Sequence, residues 1–458
     1  MYTAKLSHAS ILGVEATFRF DEAFISEDAI LFDLIMAIHM IEMIILICLC
    51  VTTVHAIFPY PRNGALLDEL VAYYFSRLYT QNEILGFLLF VHNVMLSKRT
   101  LKRILRRLNL RRRGIENPLV DIVSKIIDLR RFGYDQVDYR TMWRLLNTFC
   151  GVHATQETVR LALTVIDTDG VNARRRRRLI RRSYHSRGPN YCLHVDGYDK
   201  LKPFGISIHG CMDGFSRKIM WLTASHTNKN PRHVARNYVE HLKRYKRVPR
   251  LIRTDAGTEN VLIHRIQIAL RSRHNDHMAG VNSVSVGRST ANQRIEMLWS
   301  FLMRNFTTFW RNLFNSLVED GILSNTDPLH LECVRFTFLP IIQVHLNEFR
   351  ELWNMHRIRR QRNEDQFYGI PDVMYNQPII YGMFDQSFAL PCDDAALDDI
   401  LDQYTEQHLQ RGASHEFRQL ITLNVTGLNI EAFGVIRTPD VAKALYRLLV
   451  SLLLQLVL

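Results

Sequence analysis

Three acidic residues carry the chemistry that the sequence offers most plainly. Asp196 closes the apolar run YCLHVD (191–196), Asp255 closes RLIRTD (250–255), and Glu296 sits near the start of STANQRIEMLWSFLMRNF (289–306). Carboxylates brought together repel one another unless a cation lies between them. Such a set binds one or two Mg²⁺ ions through hard oxygen ligands. Two ions held this way activate a water or hydroxyl and stabilise the leaving oxygen of a phosphodiester. Two further aspartates lie close by. The Asp213-Gly214 pair in GCMDGFSRK is a hairpin signal, because both residues tolerate positive φ. Asp213 is therefore read as a turn residue, and Asp199 as a loop residue shaping the turn before Lys200. His194, His209 and His226 are read as core or surface histidines rather than ligands. Glu259, four residues past Asp255, is read as a helix N-terminal charge, with assistance to the site as the alternative.

The elements that must position these acids follow from periodicity. YCLHVD, FGISIHGCMD (204–213), SRKIMWLT (216–223), RLIRTD and VNSVSVG (281–287) read as strands, the last with apolar residues at every second position. NPRHVARNYVEHLKRYKR (230–247) and residues 289–306 read as amphipathic helices, the second with an Ile295, Leu298, Trp299, Leu302 stripe. This order predicts a mixed sheet with an antiparallel hairpin and helices on its faces. If the strands ending in Asp196 and Asp255 are neighbours, both aspartates stand at one end of the sheet. Glu296, beside the apolar stripe, can face that end.

Charge is unevenly distributed. The 458 residues carry a net charge of +13, which favours a polyanionic partner, nucleic acid before membrane surface. Lys98 to Arg113 holds nine Lys/Arg and no acid; residues 363–410 hold ten Asp/Glu and no Lys or Arg. In LSKRTLKRILRRLNL, Ser97 is an N-cap and Leu101, Ile104, Leu105 and Leu108 form one stripe, leaving Lys98, Arg99, Lys102, Arg103 and Arg106 for phosphate contact. With the apolar helix EILGFLLFVH before it, this is a helix-turn-helix pattern. A second pair follows, with stripes Tyr139, Met142, Trp143, Leu146 and then Val159, Ala162, Leu163, Ile166, the latter helix capped by Thr155. Five arginines, Arg174, Arg175, Arg176, Arg177 and Arg178, link this region to the centre and are a further DNA-binding candidate. The acidic stretch is a candidate mask for the basic arm. Seven scattered cysteines without a CxxC pair suggest neither a disulfide framework nor a structural zinc site. Residues 34–58 are apolar but contain His39 and Glu42, so a buried helix or an aberrant N-terminal extension is expected rather than a membrane span, and no basic n-region marks a signal peptide. The predicted organisation is an apolar extension (1–60), a helical DNA-binding region with basic linker (61–185), an α/β core (186–320), its helical tail (321–380), and an acidic then apolar C-terminal region (381–458).

HVDGYDKLKPFGISIHGCMDGFSRKI, LIRTDAGTEN and STANQRIEMLWSFL, in that order, resemble the catalytic core of the DDE integrase and transposase superfamily, including integrase-core proteins derived from eukaryotic mobile elements. The likeness covers roughly residues 80–375, judged by motif order. It implies an RNase H-like fold, with an all-α region before the core and a mainly helical region after it. It implies that Asp196, Asp255 and Glu296 are the catalytic, metal-binding triad, with Mg²⁺ (or Mn²⁺) as cofactor. It further implies DNA end cleavage and strand transfer, a homo-oligomer on element ends and target duplex, and a nuclear setting. Neither a small-molecule cofactor nor membrane association is expected. Lys200, Lys202, Asn292, Gln293 and Arg304 are candidate DNA contacts near the triad, and Trp353, Asn354, His356 and Arg357 in the tail would pack or touch DNA. Three features depart from the family pattern: 40 residues separate Asp255 from Glu296, which predicts an extra loop; Asp-Ala-Gly replaces the usual Asp-Asn-Gly; and no His/His/Cys/Cys module is detectable. The rivals are a catalytically silent, host-captured DNA-binding protein and an RNase H-like nuclease that cleaves without joining.

Overall fold

The computed structural model describes residues 66–112, 116–167, 186–287, 292–360, 367–424 and 438–457. The apolar stretch 34–58, Arg174–Arg178 and residues 288–291 lie outside these. Among the described residues, no helix is long and apolar enough to cross a membrane.

The sheet is the frame of the core. Its strands are β1 (Cys192–Tyr198), β2 (Ser207–Asp213), β3 (Ile219–Ser225), β5 (Leu251–Thr254) and β6 (Val284–Val286), with a short β4 (Arg247–Val248) standing outside it. The order is β3-β2-β1-β5-β6. β1 pairs antiparallel with β2, and β2 with β3, whereas β5 and β6 run parallel to β1. This is the mixed sheet of an RNase H-like fold, flanked by helices. Parallel strands need crossover connections. Here these are α7 (Pro231–Tyr245) between β3 and β5, and α8 (Val261–Arg271) between β5 and β6. The predicted strands are thus all present, with ends shifted by at most three residues; β1 runs two residues past Asp196, and β2 ends on Asp213 as expected.

Because side chains alternate across a strand, β1 feeds two cores. Leu193 and Val195 pack with Val234, Tyr238 and Ile252 beneath α7 and α8. Tyr198, on the other face, packs with Ile295, Leu298, Trp299 and Leu302 of α9 (Gln293–Leu302). That face is also covered by α10 (Thr308–Glu319), α11 (Pro328–Met355), α14 (His415–Asn424) and α15 (Pro439–Val457).

The edge strand β3 is closed by amide side chains of α11. Asn354 accepts from the Ile219 N–H at 2.8 Å and donates to the Ile219 carbonyl at 3.0 Å. Gln343 does the same for Ala224 N–H (2.7 Å) and Leu222 O (3.1 Å). These bonds replace a missing neighbour strand and remove an open edge. The indole of Trp353 donates to the Arg217 carbonyl at 2.7 Å, so Trp353 and Asn354 are packing groups. Half-buried His356 contacts the Trp353 carbonyl, and Arg357 pairs with Glu83 at 2.7 Å.

The β2–β3 turn differs from the sequence expectation. Positive φ falls on Arg217 (62°), not on Asp213 or Gly214. Asp213 is still the turn-former: one carboxylate oxygen accepts from Ser216 N–H (2.8 Å) and Oγ (2.7 Å), the other from Asn190 N–H (2.7 Å). A fully buried carboxylate so engaged closes a four-residue loop and needs no left-handed pair at its start.

Two helical groups precede the core. α1 (Leu67–Ser76), α2 (Gln81–His92) and α3 (Lys98–Arg107) pack on Val71, Tyr74, Phe87 and Leu101. α4 (Leu119–Leu129), α5 (Tyr139–Arg144) and α6 (Gln156–Ile166) pack on Ile122, Met142, Leu146 and Val159. Ser97 and Thr155 cap α3 and α6, each accepting at 3.1 Å from the backbone three residues on. A buried ion pair, Lys218 to Asp372 at 3.0 Å with Tyr79 donating to the same carboxylate at 2.8 Å, ties the first group to the sheet. Asp372 lies on α12 (Pro371–Asn376).

Among its described residues, the acidic stretch, a candidate mask for the basic arm, packs on the core instead. Its helix α13 (Asp394–Tyr404) seats Leu397 and Leu401 in the core beneath α7. From there Asp398 and Asp394 reach Lys243 and Lys246 of the α7 end, and Asp385 pairs with Arg247 of β4 at 3.0 Å. Its acids thus neutralise one face of the core. On the basic arm, Arg107 is paired instead with Asp68 of α1 at 2.6 Å.

Candidate active site

The sheet answers where the two aspartates stand. β1 and β5 are adjacent and parallel, with His194 opposite Arg253. Two residues further along both chains are Asp196 and Asp255, so register carries them to the same height at the same sheet end. Asp196 projects on the α9 face together with His194 and Tyr198, as alternation requires.

α9 hangs on β1 through Asn292. Its amide donates to the Val195 carbonyl at 3.1 Å, and its oxygen meets His194 Nδ1 at 2.5 Å. His194 is buried, and burial pushes it down to about 4, so it is a neutral hydrogen-bonding partner. Asn292 is 1% exposed and corrects the expectation of a DNA contact: it is a clasp between strand and helix. Glu296 follows one turn later. One turn on again, the indole of Trp299 donates to Asp196 Oδ2 at 2.9 Å. The other oxygen of Asp196 accepts from Gly197 N–H at 2.8 Å.

Asp255 is held by its own loop. Its Oδ1 accepts from Gly257 N–H at 3.3 Å and from Asn260 Nδ2 at 3.2 Å. The same amide nitrogen reaches Glu259 at 3.3 Å. Glu259 is buried, lies over Gly257 where a Cβ would meet its carboxylate, and faces Lys229 at 3.7 Å. It is thus a partner of the Asp255 loop rather than a solvated helix charge. His264, one turn past Asn260, bonds Thr254 at 2.8 Å beside Asp255.

The three acids sense one another. Burial pushes Asp196 up to about 6; the Trp299 bond opposes this, and the charges of Asp255 and Glu296 add to it. Burial and the Asp255 charge raise Glu296 as well. Such mutual repulsion at one sheet end is what a divalent cation relieves, and an all-oxygen donor set suits Mg²⁺. The set is not drawn to coordination distance. Among the described residues, no group of three His, Cys, Asp or Glu side chains is close enough to hold a metal ion.

A family model described as integrase core domain matches residues 183–377. Residues 183–377 are an integrase core. They span β1 through α12 and contain every group described above. No curated protein matches the chain. Within the integrase core, Lys200 and Lys202 are exposed on the loop after β1, with Lys202 3.5 Å from Asp199. Asp199 also accepts from Asn228 at 2.7 Å, which joins this loop to the one after β3 that bears Lys229. Gln293 is half-buried at the head of α9. Arg304 donates to the Ser300 carbonyl at 3.1 Å and stacks on Phe301 at 4.8 Å, within a π-wound turn, Met303–Thr307, that interrupts the helical repeat. The extra interval before Glu296 is filled by α8 and by a loop that Arg271 pins through Asp276 at 2.6 Å.

The basic arm lies outside the core. Lys98, Arg99, Lys102, Arg103 and Arg106 are all exposed on α3, while Leu101, Ile104 and Leu105 are buried. The corresponding helix of the second group, α6, presents a different face: Leu161 and Val165 are exposed and Arg160 is paired with Glu157. Sequence reasoning missed Trp299, Asn260 and Lys229 at the site. Trp299 stood in the apolar stripe, and only its indole nitrogen distinguishes it from core; the Asn in GTEN was the available signal for Asn260.

Proposed function

We propose that this chain cleaves and joins DNA by divalent-cation-dependent phosphoryl transfer, as an integrase or transposase. The observation that carries this reading is the placement of Asp196 and Asp255 at one height on adjacent parallel strands, with Glu296 close enough for its charge and theirs to interact. Asp196, Asp255 and Glu296 would hold Mg²⁺, or Mn²⁺ in its place. When bound, the cation would activate a water or a DNA 3′-hydroxyl and stabilise the leaving oxygen. The chain's own contribution is orientation. Asn260 holds Asp255, Trp299 holds Asp196, and Asn292 fixes the helix that delivers Glu296. The exposed cations of α3 supply sequence-independent phosphate contact, and Lys200, Lys202 and Gln293 flank the site for the same purpose. A homo-oligomer working on two DNA ends in the nucleus completes the reading.

The test is strand transfer of a pre-cleaved duplex end into a plasmid with Mg²⁺. Asp196→Asn and Glu296→Gln are each expected to lower product at least 100-fold while leaving DNA binding intact. Full activity in either variant would remove that residue from the triad. Nicking without joining would favour a nuclease, and salt-dependent binding without any Mg²⁺-dependent product a captured DNA-binding protein.

A further inference from the structure

Trp299 is buried, yet its one polar atom is not spent on backbone. The indole N–H, a donor that can never accept a proton or ligate a metal, points at Asp196 Oδ2 at 2.9 Å. The slot that holds the ring is built for it. Gly210 stands directly opposite Asp196 in the β1–β2 ladder. A Cβ at Gly210 would come within 2.7 Å of the indole Cη2, so only glycine leaves room for the ring to lie across the strand pair. Tyr198, two residues past Asp196 on the same face, packs on the ring with centroids 5.0 Å apart. Tyr198 is itself tied by its hydroxyl to Thr307 at 3.0 Å, beyond the end of α9. Trp299 is also three residues after Glu296, one helical turn away on the same side of α9. A single helix therefore supplies one carboxylate and grips another.

We propose that Trp299 is a positioning residue that fixes the Asp196 carboxylate and links it to the helix that carries Glu296, so that one ligand is held in place before a cation draws the acids together. This rests on the reading of Asp196 as a cation ligand. The indole N–H occupies one lone pair of Oδ2 and Gly197 N–H one of Oδ1, which leaves the other lone pair of each oxygen for a cation. The indole bond also fixes the carboxylate plane, whose freedom would otherwise be lost on binding. Partners of this kind, one bond out from a ligand, commonly change metal affinity about 10- to 100-fold when removed. A Trp serving only as core would need the ring but not the N–H.

The experiment is Mn²⁺ titration of the full chain by calorimetry, with wild type, Trp299→Phe and Asp196→Asn. Phe removes the donor together with the part of the ring that lies over Gly210, so the circular-dichroism spectrum controls for lost packing. Trp299→Phe is expected to weaken Mn²⁺ binding roughly tenfold with an unchanged circular-dichroism spectrum. Affinity within about twofold of wild type, while Asp196→Asn binds weakly, would overturn the role of Trp299 alone. Wild-type affinity in Asp196→Asn would overturn both this role and the metal reading beneath it. A second measurement needs no Trp299 variant. The chain has five tryptophans. In the ¹⁵N-indole spectrum, one resonance is expected to be displaced by Asp196→Asn and, in wild type, to shift on Mg²⁺ titration. If the resonance that Asp196→Asn displaces stays fixed in wild type through saturating Mg²⁺, the proposal fails.

Discussion

Neutralising Asp196 is expected to stabilise the metal-free protein while abolishing its chemistry. Burial, reinforced by the charges of Asp255 and Glu296, pushes Asp196 from its ordinary 3.8 up to about 6. A tenfold change in proton affinity is worth about 1.4 kcal/mol, so the ionised folded state is penalised by about 3 kcal/mol. The sign follows from which state binds the proton more tightly. Below pH 4 Asp196 is neutral in both folded and unfolded chains, and the stabilisation it allows is complete. As pH rises from about 4 through 6, the unfolded chain ionises first, and that stabilisation is lost. Asn is a fair stand-in for the neutral acid, because each keeps an acceptor for one of the two N–H donors, Trp299 and Gly197. Asp196→Asn should therefore match wild type at pH 4 and exceed it by up to about 3 kcal/mol at pH 8. The assay is thermal unfolding in chelator across that pH range, where the excess should appear as a midpoint higher by roughly 2 °C or more. A variant no more stable than wild type at pH 8, or an excess independent of pH, would refute the reasoning. Saturating Mg²⁺ should raise the wild-type midpoint and leave that of Asp196→Asn unmoved.

Asn354→Leu should strip the Ile219 N–H and carbonyl of their partners and cost about 2–4 kcal/mol, read by urea unfolding. Lys218→Met should remove one partner of the buried Asp372 carboxylate and cost about 3–5 kcal/mol in the same measurement, because breaking a buried ion pair from one side uncovers the other charge. Gly210→Ala should force Trp299 off its seat and lower stability by about 1–3 kcal/mol, seen as a reduced unfolding midpoint. Replacing Lys102, Arg103 and Arg106 together with Ala should leave the circular-dichroism spectrum unchanged. It should also reduce the slope of log affinity for duplex DNA against log salt by about 2–3.

The strands and their order along the chain were legible in the residues, because period-two burial and turn chemistry are local properties. So were the stripes of α3, α6 and α9 and the caps at Ser97 and Thr155. Asp255 does follow the last residue of β5, but β1 runs two residues past Asp196 to Tyr198. The turn geometry was less legible. The Asp-Gly pair pointed to a hairpin, but the left-handed residue proved to be Arg217, since a buried Asp213 carboxylate organised a longer loop. Asn292 looked like a polar residue beside an acid, and nothing local shows that it spans from α9 to β1. The acidic stretch looked like a counter-ion for the longest basic run, yet Leu397 and Leu401 moor it under α7. Apolar burial chose its partner, and the salt bridges followed.

What the sequence determined by itself is therefore the repertoire: a mixed sheet with flanking helices, three carboxylates carried on or beside core elements, and a cationic helix face. Each depends on residues a few positions apart. What only the tertiary structure decided is adjacency. That β5 lies beside β1 and parallel to it, that an indole from α9 reaches Asp196 across Gly210, and that amides of α11 close the edge of β3 all join residues dozens to more than a hundred positions apart. No local preference encodes such pairings. They are set by which arrangement buries both faces of the sheet while leaving most buried polar groups a partner.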